Sequence, residues 1–208
     1  MKIARTLQPT LFGLLFVLGG CGGGHADLYR FGMQPVAESQ AAPPAAARSI
    51  SILYGGARFE PAIDGDRILT VTGSQAAYVA DARWVSRASD LFDSATRRAF
   101  DLRMPSAQMV RLVGAPPPDF ALGIEVRRFE ADYVGGAAAP PEIVIEARVR
   151  LVRWSDRTLV AEWPVTSRET AQENRVGPIV DAFDRGTATV VARIADLTQE
   201  RLAALPPT

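Results

Sequence analysis

A chain of 208 residues with 23 basic and 23 acidic side chains, one histidine and one cysteine excludes several chemistries at once. One thiol cannot build a disulfide framework, a thiolate zinc site or a redox pair. A balanced charge with no dominant basic patch argues against a nucleic-acid footprint, and the length suits a single domain with one sizeable core.

Residues 1–20 have the three parts of an export signal. Lys2 and Arg5 give a positive start, and Leu11, Phe12, Leu14, Leu15, Phe16, Val17 and Leu18 give a compact apolar run. That run is shorter than the roughly 20 residues needed to span a bilayer. It ends in Leu18-Gly19-Gly20-Cys21, which resembles the bacterial lipobox: an aliphatic residue, two small ones and the cysteine that is acylated. Cleavage before Cys21 and a lipid on its sulfur would consume the lone thiol. Two or more acyl chains hold a protein firmly where one binds only marginally. Gly22, rather than Asp, follows the cysteine, so the outer membrane, facing the periplasm, is expected ahead of the inner membrane. Removal of residues 1–20 takes Lys2 and Arg5 away and leaves 21 basic against 23 acidic side chains, a net charge of −2.

Gly22-Gly23-Gly24-His25-Ala26-Asp27 reads as a flexible tether, and His25 within it is assigned no role. A short strand at Leu28–Gly32 and an Ala/Pro-rich linker at Gln34–Arg48 follow. From Ser49 the pattern alternates. Ser49–Tyr54 reads as a strand, and Pro61 and Asp64-Gly65-Asp66 as a turn. Ile68–Thr72 and Gln75–Ala80 are strands around Gly73-Ser74. A helix is predicted over Val85–Arg103, with Ser86 as N-cap and Leu91, Phe92, Ala95, Ala99, Phe100 and Leu102 on its apolar stripe.

Three strands then form a meander. Leu122, Ile124 and Val126 share one side of the first; Ile143, Ile145, Ala147, Val149 and Leu151 share one side of the second, with Glu146, Arg148 and Arg150 opposite. Leu159, Ala161, Trp163 and Val165 share one side of the third. A period of two with charge on one side marks an antiparallel sheet with one exposed face. Gly135–Pro141 and Ser155-Asp156-Arg157 are the hairpin joins. A last helix over Pro178–Leu205 buries Ile179, Phe183, Val190, Ile194 and Leu197, and Gly186 weakens it by about 1 kcal/mol relative to Ala. The expected fold is α+β: a mixed, mainly antiparallel sheet with two amphipathic helices packed on one face. The expected organisation is a signal peptide at 1–20, a lipidated tether, short strand and linker at 21–48, and one α+β domain at 49–208.

Chemistry is hard to find. Asp64-Gly65-Asp66 lacks the later ligands of a calcium loop. No G-x-S-x-G elbow, no histidine within the domain and no phosphate-binding P-loop is present. Carboxylates such as Glu125 and Glu130 belong to a sheet face that is charged throughout and reads as solvated. The domain is therefore read as non-catalytic, with no metal and no cofactor. Trp84, just before the first helix, is a core residue or else an exposed anchor for a partner. Trp154, on the register of Arg148 and Arg150, is the better interface candidate.

The order of features resembles a family. After the lipobox come Phe59-Glu60-Pro61-Ala62-Ile63-Asp64-Gly65-Asp66-Arg67-Ile68, then Gln75-Ala76-Ala77-Tyr78, then Arg83-Trp84 and a helix ending near Ala99-Phe100. This is similar to the ABC-type transport auxiliary lipoproteins, the group that includes paraquat-inducible protein C. The resemblance implies a lipid-anchored, non-catalytic component beside a mammalian-cell-entry-type ABC transporter that moves lipids between inner and outer membranes. Its partners would be the transporter and mammalian-cell-entry subunits and the membrane itself, and no nucleic acid; homo-oligomerisation is compatible with that role. The competing expectation is a structural envelope-assembly lipoprotein that binds an outer-membrane protein or peptidoglycan.

Overall fold

The computed structural model describes residues 25–35, 49–111 and 116–206. The signal peptide at 1–20, Cys21, Gly22–Gly24 and most of the Ala/Pro linker lie outside the described residues. In chain order the elements are β1 (Asp27–Tyr29), β2 (Ile50–Leu53), β3 (Ala57–Phe59), β4 (Arg67–Thr72), β5 (Gln75–Trp84), α1 (Ala88–Arg103), β6 (Ala107–Val110), β7 (Phe120–Asp132), β8 (Glu142–Arg153), β9 (Leu159–Thr170) and α2 (Val176–Ala203). The fold is α+β, one mixed sheet and two helices, as the pattern predicts. β3 and β6 were not expected. At three and four residues they are too short to show a period.

The long strand β7 organises the sheet. One of its edges pairs antiparallel with β8 from Phe120↔Arg153 to Asp132↔Glu142, and β8 pairs antiparallel with β9. Along the other edge β2, β3 and β4 lie end to end, all parallel to β7. β6 extends the sheet beyond β2, and β5 followed by β1 extends it beyond β4. The long pairings are antiparallel and the parallel ones short. β9 pairs with β8 only, so Pro164 sits in an edge strand, where a missing N–H is tolerated.

The alternation in β7 survives only because of a bulge. Leu122, Ile124 and Val126 are buried, and so are Phe129 and Ala131, although two residues rather than one lie between Val126 and Phe129. The register shift between Val126 and Arg128 inserts one extra residue. Without it Arg128 would enter the core and Phe129 would face solvent. A second shift between Leu151 and Val152 pairs Leu159 with Val152 and leaves Leu159 exposed, against the inward placement predicted for it.

α2 packs on β8 and β9, and α1 packs on α2, β3 and β6. Ile179, Phe183, Val190, Ile194 and Leu197 of α2 are buried as predicted. Gly186 is more than a weak point: a Cβ there would stand 3.1 Å from Ile145 Cδ1, so the missing side chain lets the helix approach β8 closely. In α1, Leu102 is exposed rather than buried. Ser86 is not the cap. Arg87 holds the N-cap position without a side-chain bond, and the Ala88 N–H donates instead to the Gly65 carbonyl at 3.0 Å. The Asp64-Gly65-Asp66 turn thus closes the helix start from a distance, with Asp64 also paired to Arg87.

The core reaches N-terminal to Ser49. Phe31, which follows β1, is buried against Trp84 (centroids 4.9 Å) and Phe129 (4.9 Å), and Trp84 also meets Phe183 at 5.2 Å. Met33 N–H donates to Asp184 Oδ1 at 2.8 Å, and Arg98 donates to the Gly32 carbonyl. These contacts pin residues 31–33 to both helices. Trp84 is 2% exposed and belongs to the core, so its ring offers no docking surface.

Trp84→Ala is expected to lower the unfolding free energy by about 3–5 kcal/mol, read by urea denaturation with far-UV circular dichroism. A loss below about 1 kcal/mol would show that the aromatic cluster does not pack as described.

Candidate docking surface

The sheet face opposite the helices carries the charged residues of β7, β8 and β9. Arg128 is its hub. It donates to Glu130 (2.7 Å), Asp132 (3.0 Å) and Glu146 (3.3 Å), and Arg168 reaches Glu142 (2.7 Å) and Glu146 (3.6 Å). Burial opposes the charge of Arg128, but the hydrogen bond to Glu130 and the surrounding carboxylates outweigh it and raise its pKa above the ordinary value. Beneath this lattice lies Val144, on the outer face by register yet 0% exposed. The Arg stems cover apolar surface while their heads stay in the ion-pair layer. Glu130 is therefore not on a solvated face as its pattern suggested: it is 9% exposed and paired. Glu125 remains at the surface beside Arg58 and Arg127.

Toward the other end of the face the balance shifts to arginine. Arg148 and Arg150 share the single carboxylate of Glu162 at 2.9 and 3.3 Å. Trp154 closes this end, half-buried in the turn after β8, with its backbone N–H donating to the Asp119 carbonyl at 3.0 Å. The Arg157 guanidinium lies 5.7 Å from the Trp154 ring centre, and Arg157 is left-handed (φ 58°). The turn is held by Asp156: the Thr158 backbone N–H, at 3.0 Å, keeps its carboxyl below the usual range. Asp119 in turn accepts from Ser51 N–H and Oγ, both at 2.8 Å, tying the start of β7 to β2. Beside it a groove of about 460 Å³ runs between sheet and α2, lined by Ile50, Phe120, Arg153, Leu202 and Leu205.

A second polar cluster bridges the gap between β2 and β3. Asp93 Oδ1 accepts from Tyr54 Oη at 2.6 Å and from Ala57 N–H at 2.6 Å, and Arg97 donates to the Tyr54 carbonyl at 3.1 Å. Gly56 is required here: φ is 110° and a Cβ would stand 2.5 Å from Asp93 Oδ2. Burial, then the Asp93 charge, pushes the Tyr54 phenol well above its ordinary pKa. No sequence signal pointed to this cluster, because Tyr54 and Asp93 meet only after β2 and α1 are packed. The Arg128 hub had a weak signal in carboxylates two and four residues further on.

Of the residues singled out by sequence, the structure places Trp84 in the core and Trp154 at the end of the outer face, so the two form no common site. Cys21 is outside the described residues. His25 is exposed, and among the described residues no three metal-ligating side chains converge. What the face presents is recognition chemistry: an aromatic ring, a row of arginines and a paired acidic end.

The family model described as ABC-type transport auxiliary lipoprotein component matches residues 31–195. The chain is similar to the crystal structure of a Xanthomonas campestris protein of the DUF330 family, with TM-score 0.70 and 24% identity over 85% of this chain and 97% of that one. A second crystal structure, of an uncharacterized protein, has TM-score 0.62 and 14% identity over 84% and 99% of the two chains. Both likenesses show the fold alone. No curated protein matches.

Two outcomes are expected. Arg128→Met leaves Glu130, Asp132 and Glu146 facing one another over Val144, and costs about 1–3 kcal/mol in urea denaturation at neutral pH; an unchanged midpoint would mean the lattice carries no stability. In an alkaline titration followed by phenolate absorbance, Tyr54 stays protonated where an ordinary tyrosine, pKa about 10, ionises. Its folded pKa is raised, so its stabilisation is complete below about pH 10 and is lost as pH rises further, when the unfolded chain releases the proton first. Tyr54→Phe should remove that late-ionising group.

Proposed function

The chain belongs to the ABC-type transport auxiliary lipoprotein family, and from that premise we propose that it is the lipid-anchored, non-catalytic component of a mammalian-cell-entry-type system moving lipids between inner and outer membranes. The family match over residues 31–195 carries this reading. In it, Cys21 bears the anchor and the domain stands in the periplasm at the outer membrane. Membrane attachment by lipid agrees with a further observation: no helix among the described residues is long and apolar enough to cross a bilayer. Transport energy would come from an ATPase subunit, and this chain would contribute position and contact. Trp154, half-buried beside Arg157 just past the strand that carries Arg148 and Arg150, supports a docking role for that end of the sheet, since partly desolvated Trp and Arg are the side chains that most often dominate protein interfaces.

Cys21→Ala is expected to move the protein from the membrane to the soluble fraction of lysed cells. Pull-down of the lipidated protein from membranes should recover permease, ATPase or mammalian-cell-entry subunits, and deletion should raise detergent sensitivity. Trp154→Ala should reduce partner recovery roughly tenfold or more, as loss of about 2 kcal/mol at an interface implies, while leaving the unfolding midpoint in place. Recovery of an outer-membrane protein or peptidoglycan without transporter subunits, with permeability unchanged, would favour the envelope-assembly reading.

A further inference from the structure

The place where the folded chain begins limits which side of the domain the membrane can touch. β1 is the outermost strand beyond β5, and six residue steps separate Asp27 from Cys21. Fully extended, those steps reach about 20 Å. The sheet is larger than that reach. From β1 across β5, β4, β7 and β8 to β9 are five strand spacings, about 24 Å, and β7 alone runs about 40 Å. An anchor on Cys21 therefore cannot seat the far β9 edge on the bilayer, and the β1–β5 edge is the part of the sheet nearest to it.

That side is not uniformly polar. In the in-register parallel pairing of β1 with β5, Tyr29 and Trp84 turn to the core, so Leu28 and its partner Arg83 turn to the opposite face. Leu28 is 65% exposed. Val85, just past the end of β5, has an N–H that continues the ladder to the Tyr29 carbonyl at 2.7 Å and is 42% exposed. Arg30 and Arg83 flank these aliphatics, and Asp27, Asp66 and Asp81 are the carboxylates nearby, Asp66 being paired with Arg83 at 3.5 Å. With charges of both signs, the edge has no strong preference for an anionic surface. Its exposed aliphatics are the part suited to the boundary between headgroups and acyl chains.

We propose that the β1–β5 edge, led by Leu28 and Val85, rests in the phospholipid headgroup layer of the membrane that holds Cys21. The inference builds on acylation of Cys21 and adds an orientation to it. With this edge down, Trp154 stands about 30 Å away, four strands across and most of a strand length along, and faces a partner rather than lipid.

The test uses the full-length lipidated protein in vesicles of phosphatidylethanolamine and phosphatidylglycerol, with a spin label on Leu28→Cys, on Val85→Cys or, as reference, on Leu159→Cys at the far edge. All three side chains are exposed, so the substitutions leave the core intact. Flotation is scored first. A protein that does not float with the vesicles overturns the anchoring itself and the orientation with it. In a protein that floats, accessibility to a water-soluble nickel chelate should fall several-fold at Leu28 and Val85 relative to Leu159, with oxygen accessibility rising. Equal chelate accessibility at all three positions would overturn the orientation and leave the anchor standing.

Discussion

β7 has to satisfy its backbone on both edges along nearly its whole length, and that requirement shapes the molecule. On one side it meets a single long partner, β8. On the other, β2, β3 and β4 take turns, because the chain between Ile50 and Thr72 is interrupted at Gly55-Gly56 and again at the turn from Pro61 to Asp66. Each interruption leaves backbone groups that the ladder cannot use. Asp93 accepts the Ala57 N–H at the first break, and the Gly65 carbonyl at the second accepts the first N–H of α1. The gaps in the sheet thus become the attachment points of the helix above it.

The one-residue bulge after Val126 keeps the two faces distinct past the middle of β7. It returns Phe129 to the aromatic cluster and sends Arg128 outward among three carboxylates. The outer face then divides into a self-paired acidic end over buried Val144 and an end where arginines outnumber their carboxylate partners around Trp154. Charges already satisfied within the fold gain little from a partner. An aromatic ring beside under-paired arginines has more to offer one.

In the proposed arrangement the N-terminal segment ties the β1–β5 edge to the membrane. Phe31 is locked into the same aromatic cluster as Trp84, Phe129 and Phe183, and the Gly32 and Met33 backbone is held by Arg98 and Asp184. A chain pulled from its N-terminus would load the core directly. A short leash on a rigidly seated strand sets orientation as well as location, whereas a long flexible one would set only location.

The sequence by itself determined the elements with a sustained period: three long meander strands, two amphipathic helices and therefore an α+β fold with one charged face. It also supplied the lipobox pattern at Cys21 and the series of motifs, from Phe59-Glu60-Pro61 to Arg83-Trp84, that points to the family. Those features are local, since each is written in side chains a few residues apart. Tertiary structure alone decided what depends on distant partners. β3 and β6 exist because β7 and β2 offer them hydrogen bonds, not because three or four residues have a strand preference of their own. Ser86 lost its capping role to a carbonyl more than twenty residues away. Glu130 became buried because Arg128 could reach it, and Leu159 turned outward at a bulge that no periodicity announces. Trp84 and Trp154, alike in sequence as aromatics beside an element end, were separated by packing: one seals the core, and the other is left at the surface where contact with a partner is open to it.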